Sequence, residues 1–125
     1  MVIKIIPICV KMKHKYGEFT TEQLSLSLHK FRKDIFLLLV IADPNTKENY
    51  SNINAEEAFE NMMLKLEGLN ELLLNPPRII SVMSLIERAR MELTSDNFVF
   101  LRYRKLILDA GNEIIKLTEV GDINA

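Results

Sequence analysis

Tryptophan is absent from this 125-residue chain, cysteine occurs once, and glycine and proline occur four times each. A single cysteine, Cys9, excludes an internal disulfide, and the side chain reads as a small buried hydrophobe. The glycines, at 17, 68, 111 and 121, stand apart from one another, which leaves no glycine-rich phosphate loop. His14 and His29 belong to no HExxH pattern, and no Glu-x-x-His pair occurs, so neither a zinc nor a di-iron site is expected and no cofactor is implied. Serines 25, 27, 81, 84 and 95 lie in no GxSxG turn; no catalytic residue is singled out, and the expectation is a protein that is not an enzyme. A formal net charge of −1 gives no global attraction to nucleic acid. The longest apolar run has eight residues, well short of the roughly 18 to 20 that cross a bilayer, so no membrane span is expected. The N-terminal MVIKIIPICVK is apolar, but Lys4 and Pro7 interrupt it and no small-residue cleavage site follows. No secretory signal is therefore expected, and the cytoplasm is the expected location.

What the chain does contain is apolar side chains, 48% of it, at helical spacing. Over residues 20–42, Leu24, Leu28, Phe31, Ile35, Leu38 and Ala42 recur at alternating steps of four and three, which stacks them on one helical face. Thr20 and Gln23 have capping-box spacing, and Phe19 is placed to clip onto Leu24 as a hydrophobic staple. From 35 to 42 every residue is apolar, so this half of the helix is expected to be covered on all sides before Asp43-Pro44 ends it. That makes the first helix the expected organiser of the fold.

Residues 43–53 form a polar loop rich in turn formers. Asp43, Asn45 and Lys47 echo a calcium loop only faintly, because Glu48 stands where glycine is needed and Asn54 where the bidentate glutamate is needed. A second helix is expected over 54–74, capped by Asn54 with Glu57 three residues on; Phe59, Met62, Leu66, Leu69 and Leu73 form its inner face, and Gly68 is a weak point. Asn75-Pro76-Pro77 breaks the chain, and a third helix follows over 77–93 with Ile79, Val82, Met83, Ile86, Ala89 and Leu93 inward and Arg90 at the edge. The run Thr94-Ser95-Asp96 supplies the expected cap for a fourth helix over 97–117, its core face being Val99, Tyr103, Leu106, Ile107, Ala110, Ile114 and Leu117. Together these elements predict an all-α fold, a compact four-helix bundle, most simply up-down-up-down.

Outside the bundle, Val2, Ile3, Ile5, Ile6, Ile8 and Val10 favour extended structure. Residues 1–17 are expected to form an extended apolar N-terminal arm, lying on the helices or pairing with a second copy, with 18–118 the bundle and 119–125 a polar tail. A start at Met12 would make the arm an upstream extension, 11–16 a basic lead-in and Gly17 a turn.

Three surfaces carry the functional expectations. The first is apolar: Leu26, Leu37, Val40 and Ile41 lie off the inner face of the first helix, and Leu101, Leu108 and Ile115 repeat every seven residues on a second side of the fourth. Covering the last three contributes about 5 to 9 kcal/mol, against an association cost of about 4 to 15 kcal/mol. One stripe is therefore marginal for a homodimer, and more than one suffices. The second surface is acidic, Glu57, Glu60, Glu67 and Glu71 with Leu64 among them, and it suits a protein partner. The third is basic: Lys30, Lys33, Arg102 and Lys105 could contact phosphates. The expected function is non-catalytic protein–protein interaction, of the kind performed by small bacterial or phage regulators, inhibitors or immunity-type factors. Binding of a nucleic-acid backbone is the alternative.

Overall fold

The computed structural model describes residues 11–14 and 17–118, with side chains placed for 22–117. The apolar arm through residue 10 with Cys9, the Thr20 cap and Phe19 staple, and the tail at 119–125 lie outside the described residues or side chains. Four helices make the fold: α1 (Thr21–Val40), α2 (Ala55–Leu72), α3 (Pro77–Leu93) and α4 (Phe100–Ile115). Ahead of them β1 (Lys11–His14) pairs antiparallel with β2 (Gly17–Thr20), Lys11 opposite Thr20 and His14 opposite Gly17. Residues 11–14 of the basic lead-in thus form one strand of an antiparallel pair, with β-favouring Phe19 and Thr20 in the other.

The helices alternate in direction. Leu38 near the end of α1 meets Tyr103 near the start of α4; Arg78 at the start of α3 meets Glu113 at the end of α4; Glu56 at the start of α2 meets Arg90 at the end of α3. The arrangement is the up-down-up-down bundle. α4, not α1, lies at its centre, packing broadly against both α1 and α3, whereas α2 leans mainly on α3. Sequence periodicity cannot show this, because an inner face records that a helix is covered and not by how many neighbours.

Nearly every expected inward position is buried, including Leu24, Leu28, Ile35 and Leu38 on α1, Phe59, Met62, Leu66 and Leu69 on α2, Ile79, Val82, Ile86 and Ala89 on α3, and Tyr103, Ile107, Ala110 and Ile114 on α4. Two expectations are corrected. The apolar stretch at 35–42 is not covered all round, since Leu37 is 41% exposed and Val40 and Ile41 are only half-buried. Val99 is 40% exposed because the fourth helix begins three residues later than expected, leaving it at the cap position with extended backbone.

Helix ends are satisfied by distant groups as well as local ones. Asn54 caps α2 as expected, its Oδ1 accepting from the Glu57 N–H at 3.0 Å. α2 ends with Leu74 and Asn75 both in the left-handed region, at φ 65° and 63°, and the Asn75 N–H donates to the Asn70 carbonyl at 2.7 Å. Carbonyls at the end of α1 are taken up from elsewhere: the Tyr103 hydroxyl donates to Leu38 and the Thr46 hydroxyl to Val40, the latter at 2.8 Å. At the start of α4, Glu92 of α3 does the capping. Its Oε2 accepts from the Val99 N–H at 2.9 Å and from Arg102 Nη2 at 3.1 Å, while Ser95 accepts only from the Asn97 N–H within the loop.

Candidate interaction surfaces

The outward side of α2 is built by simple periodicity. Phe59, Met62, Leu66 and Leu69 occupy its inner side, so Glu57, Glu60, Leu64, Glu67 and Glu71 fall on the opposite side, and all five are exposed. Leu64 is 64% exposed at the middle of this stripe. Glu57, Glu60 and Glu67 form no ion pair among the described residues, and the neighbouring Lys65 is turned to Asp34 of α1, 3.4 Å away.

Beside the stripe, α2 and α3 enclose a groove of about 380 Å³. Phe59 closes its bottom, Met63 and Leu64 line one wall, and Glu56, Glu60, Glu67 and Glu87 surround them. Arg90 is the one cation lining it among the described residues. Its guanidinium donates to both Glu87 oxygens and reaches Glu56 at 3.4 Å. The hydrogen bonds from Arg90 hold the Glu87 carboxyl below its ordinary value, so the pair stays charged. Met63, Glu56 and Glu87 were not singled out from the sequence. The spacing of Glu56, Glu60, Met63 and Glu67 along one flank of α2 was the signal for the near wall, but the α3 wall becomes visible only once the two helices are paired.

The apolar candidates do not form one patch. Leu26 and Leu101 are 69% and 71% exposed, and Leu37 less so, but Val40, Ile41, Leu108 and Ile115 are half-buried, with Ile41 and Ile115 packed against the core. Part of the surplus is absorbed between α1 and α4. There Phe36 lies over Gly111, with the Arg32 guanidinium 4.8 Å from its ring centroid, and Arg32 donates to Asn112 at 3.3 Å. On the other side of α4, a furrow shared with α3 exposes Met91 and Ile80, two positions not singled out from the sequence.

The basic candidates are split. Lys30 and Lys33 are exposed on α1. Arg102 is held by Glu92 and by the Asn97 carbonyl at 2.8 Å, and Lys105 by Asp109 at 3.0 Å. A phosphate would have to displace these intramolecular partners. Tyr103, which lies among these cations in sequence, is buried against Phe59, Phe98 and Phe100, where no base could stack on it. Among the described residues no three His, Cys, Asp or Glu side chains converge on a metal position, and no helix is long and apolar enough to cross a membrane. Compared with protein-family models, with curated proteins and with solved structures, the chain matches none.

Proposed function

We propose that this protein is a non-catalytic binding protein that engages another protein through α2, in the manner of a small regulator, inhibitor or immunity-type factor. The observation that supports this reading is Leu64, an exposed apolar side chain at the centre of a stripe of glutamates, beside a groove with an apolar bottom. Interfaces commonly combine a small apolar anchor with a polar rim that sets orientation and encounter rate. The test is affinity capture from the cells that make the protein, using the native chain and the charge-reversed variant Glu60→Lys/Glu67→Lys/Glu71→Lys, with mass spectrometry of what is retained. Loss of a specific partner from the variant is the expected result; identical capture by both chains would mean that the stripe is only a solvated face.

Self-association belongs to the same reading. Leu101, standing out from α4, is the side chain best exposed to meet a second copy. Sedimentation at high protein concentration should show a dimer that Leu101→Glu dissociates, and a monomer throughout would remove this part of the proposal.

A further inference from the structure

The chemistry of the α2–α3 groove specifies its occupant more closely, on the premise that the protein acts by binding a partner. Four carboxylates, Glu56, Glu60, Glu67 and Glu87, share the groove with one guanidinium, that of Arg90, which Glu87 and Glu56 already engage. The groove therefore carries an uncompensated negative charge, concentrated at Glu60 and Glu67, which pair with no cation among the described residues. Between these two acids lie Met63 and Leu64, above buried Phe59, so the negative charges flank an apolar step. Glu60 and Glu67 are seven residues apart on one helix, a separation of about 10.5 Å at 1.5 Å per residue.

We infer that this groove receives a basic amphipathic helix of a partner protein. A helix laid along α2 and α3 repeats the same rise per residue, so lysines or arginines seven positions apart match Glu60 and Glu67. A leucine-sized side chain midway between them then enters the step formed by Phe59, Met63 and Leu64. The basic heads neutralise the acids from the rim while their methylene stems cover the exposed edge of Leu64.

The experiment uses the full chain and two fluorescently labelled designed helical peptides that share one leucine face, one flanked by lysines and the other by glutamates at the same positions, read by anisotropy. The lysine peptide should bind, and its affinity should fall with added salt. Its affinity should also fall by about tenfold or more on Leu64→Ala and on Glu60→Gln/Glu67→Gln, while Leu101→Ala on α4 leaves it unchanged and the glutamate peptide does not bind. The altered side chains are exposed, and unchanged circular dichroism would confirm that each variant is folded. Absence of binding at about 1 mM peptide, equal binding of both peptides, or binding unaffected by Leu64→Ala would overturn the inference. So would a dimer of the chain that Leu64→Ala dissociates, since a second copy would then fill the groove. If the peptide fails while charge reversal at Glu60, Glu67 and Glu71 still releases a captured partner, the basic helix is the wrong occupant and the interaction reading stands.

Discussion

Replacing glycine by alanine at two helical positions should have opposite effects on stability. Gly68 on α2 is exposed, and a Cβ added there would meet nothing within 4 Å. Gly68→Ala should therefore realise the ordinary helix-propensity gain of about 0.8 to 1 kcal/mol. Gly111 on α4 is buried, and a Cβ there would lie 2.4 Å from Phe36 Cε1 and 2.9 Å from Cζ, against an ordinary carbon–carbon separation of about 3.5 to 4.0 Å. The ring must give way by roughly 1 Å or more, either swinging out from under the Arg32 guanidinium or forcing α1 and α4 apart. Overpacking of this kind costs about 1 to 3 kcal/mol. With the same propensity gain set against the upper part of that range, Gly111→Ala should destabilise by about 1 to 2 kcal/mol. Urea unfolding followed by circular dichroism measures both, with the slope expected to stay constant and only the midpoint to move. In a Phe36→Ala background the obstruction is gone, and Gly111→Ala should become stabilising by about 1 kcal/mol, a coupling of about 2 to 3 kcal/mol in the double-mutant cycle. The reasoning fails if Gly111→Ala stabilises the native chain as Gly68→Ala does, or if its penalty survives the removal of the Phe36 ring.

Two further outcomes follow from cross-helix bonds. Tyr103→Phe leaves the Leu38 carbonyl without its hydroxyl donor in the core and should cost about 1 to 3 kcal/mol; because burial pushes the phenol upward, Tyr103 should ionise in an alkaline absorbance titration only as the chain unfolds, and its ionisation in the folded protein near the ordinary tyrosine value would contradict its placement. The Val99 N–H, and secondarily Arg102, hold the Glu92 carboxyl below its ordinary value, so its contribution is present above the unfolded glutamate value and is lost as pH falls through the lower folded one; Glu92→Gln should thus be less stable than the native chain at neutral pH, with the gap narrowing on acidification below about pH 4.3, and a gap independent of pH would show that Glu92 does not cap α4 as a carboxylate.

The bundle was legible because burial and helical geometry impose the same period on all four helices. Positions such as Leu28, Leu66, Ile86 and Ile107 needed nothing more than spacing, and Asn54 with Glu57 was readable as a local cap. What escaped depends on groups far apart in the chain. The Thr94-Ser95-Asp96 run looked sufficient to start α4, but the donor that needed capping belongs to Val99 and the acceptor comes from Glu92 on the preceding helix. The surplus apolar residues on α1 were visible, whereas the use of Gly111 to admit Phe36 was not, since an isolated glycine in a helix carries no record of what lies over it. The acidic stripe could be read from α2 alone. The groove beside it could not, because Glu87 of its acidic rim and Arg90, the one cation lining it among the described residues, require α3 to be docked.

The pairing of α1 with α4 also orders events during synthesis. The apolar end of α1 is complete at Val40, but the surface that covers it, including the tyrosine that takes up its Leu38 carbonyl, is finished only at Ile115, 75 residues later. At ordinary elongation rates that interval is about 4 to 15 s. For that time the nascent chain presents a greasy helix without the neighbour that covers most of it, so products truncated before α4 should be more readily cleaved by a protease than the full chain.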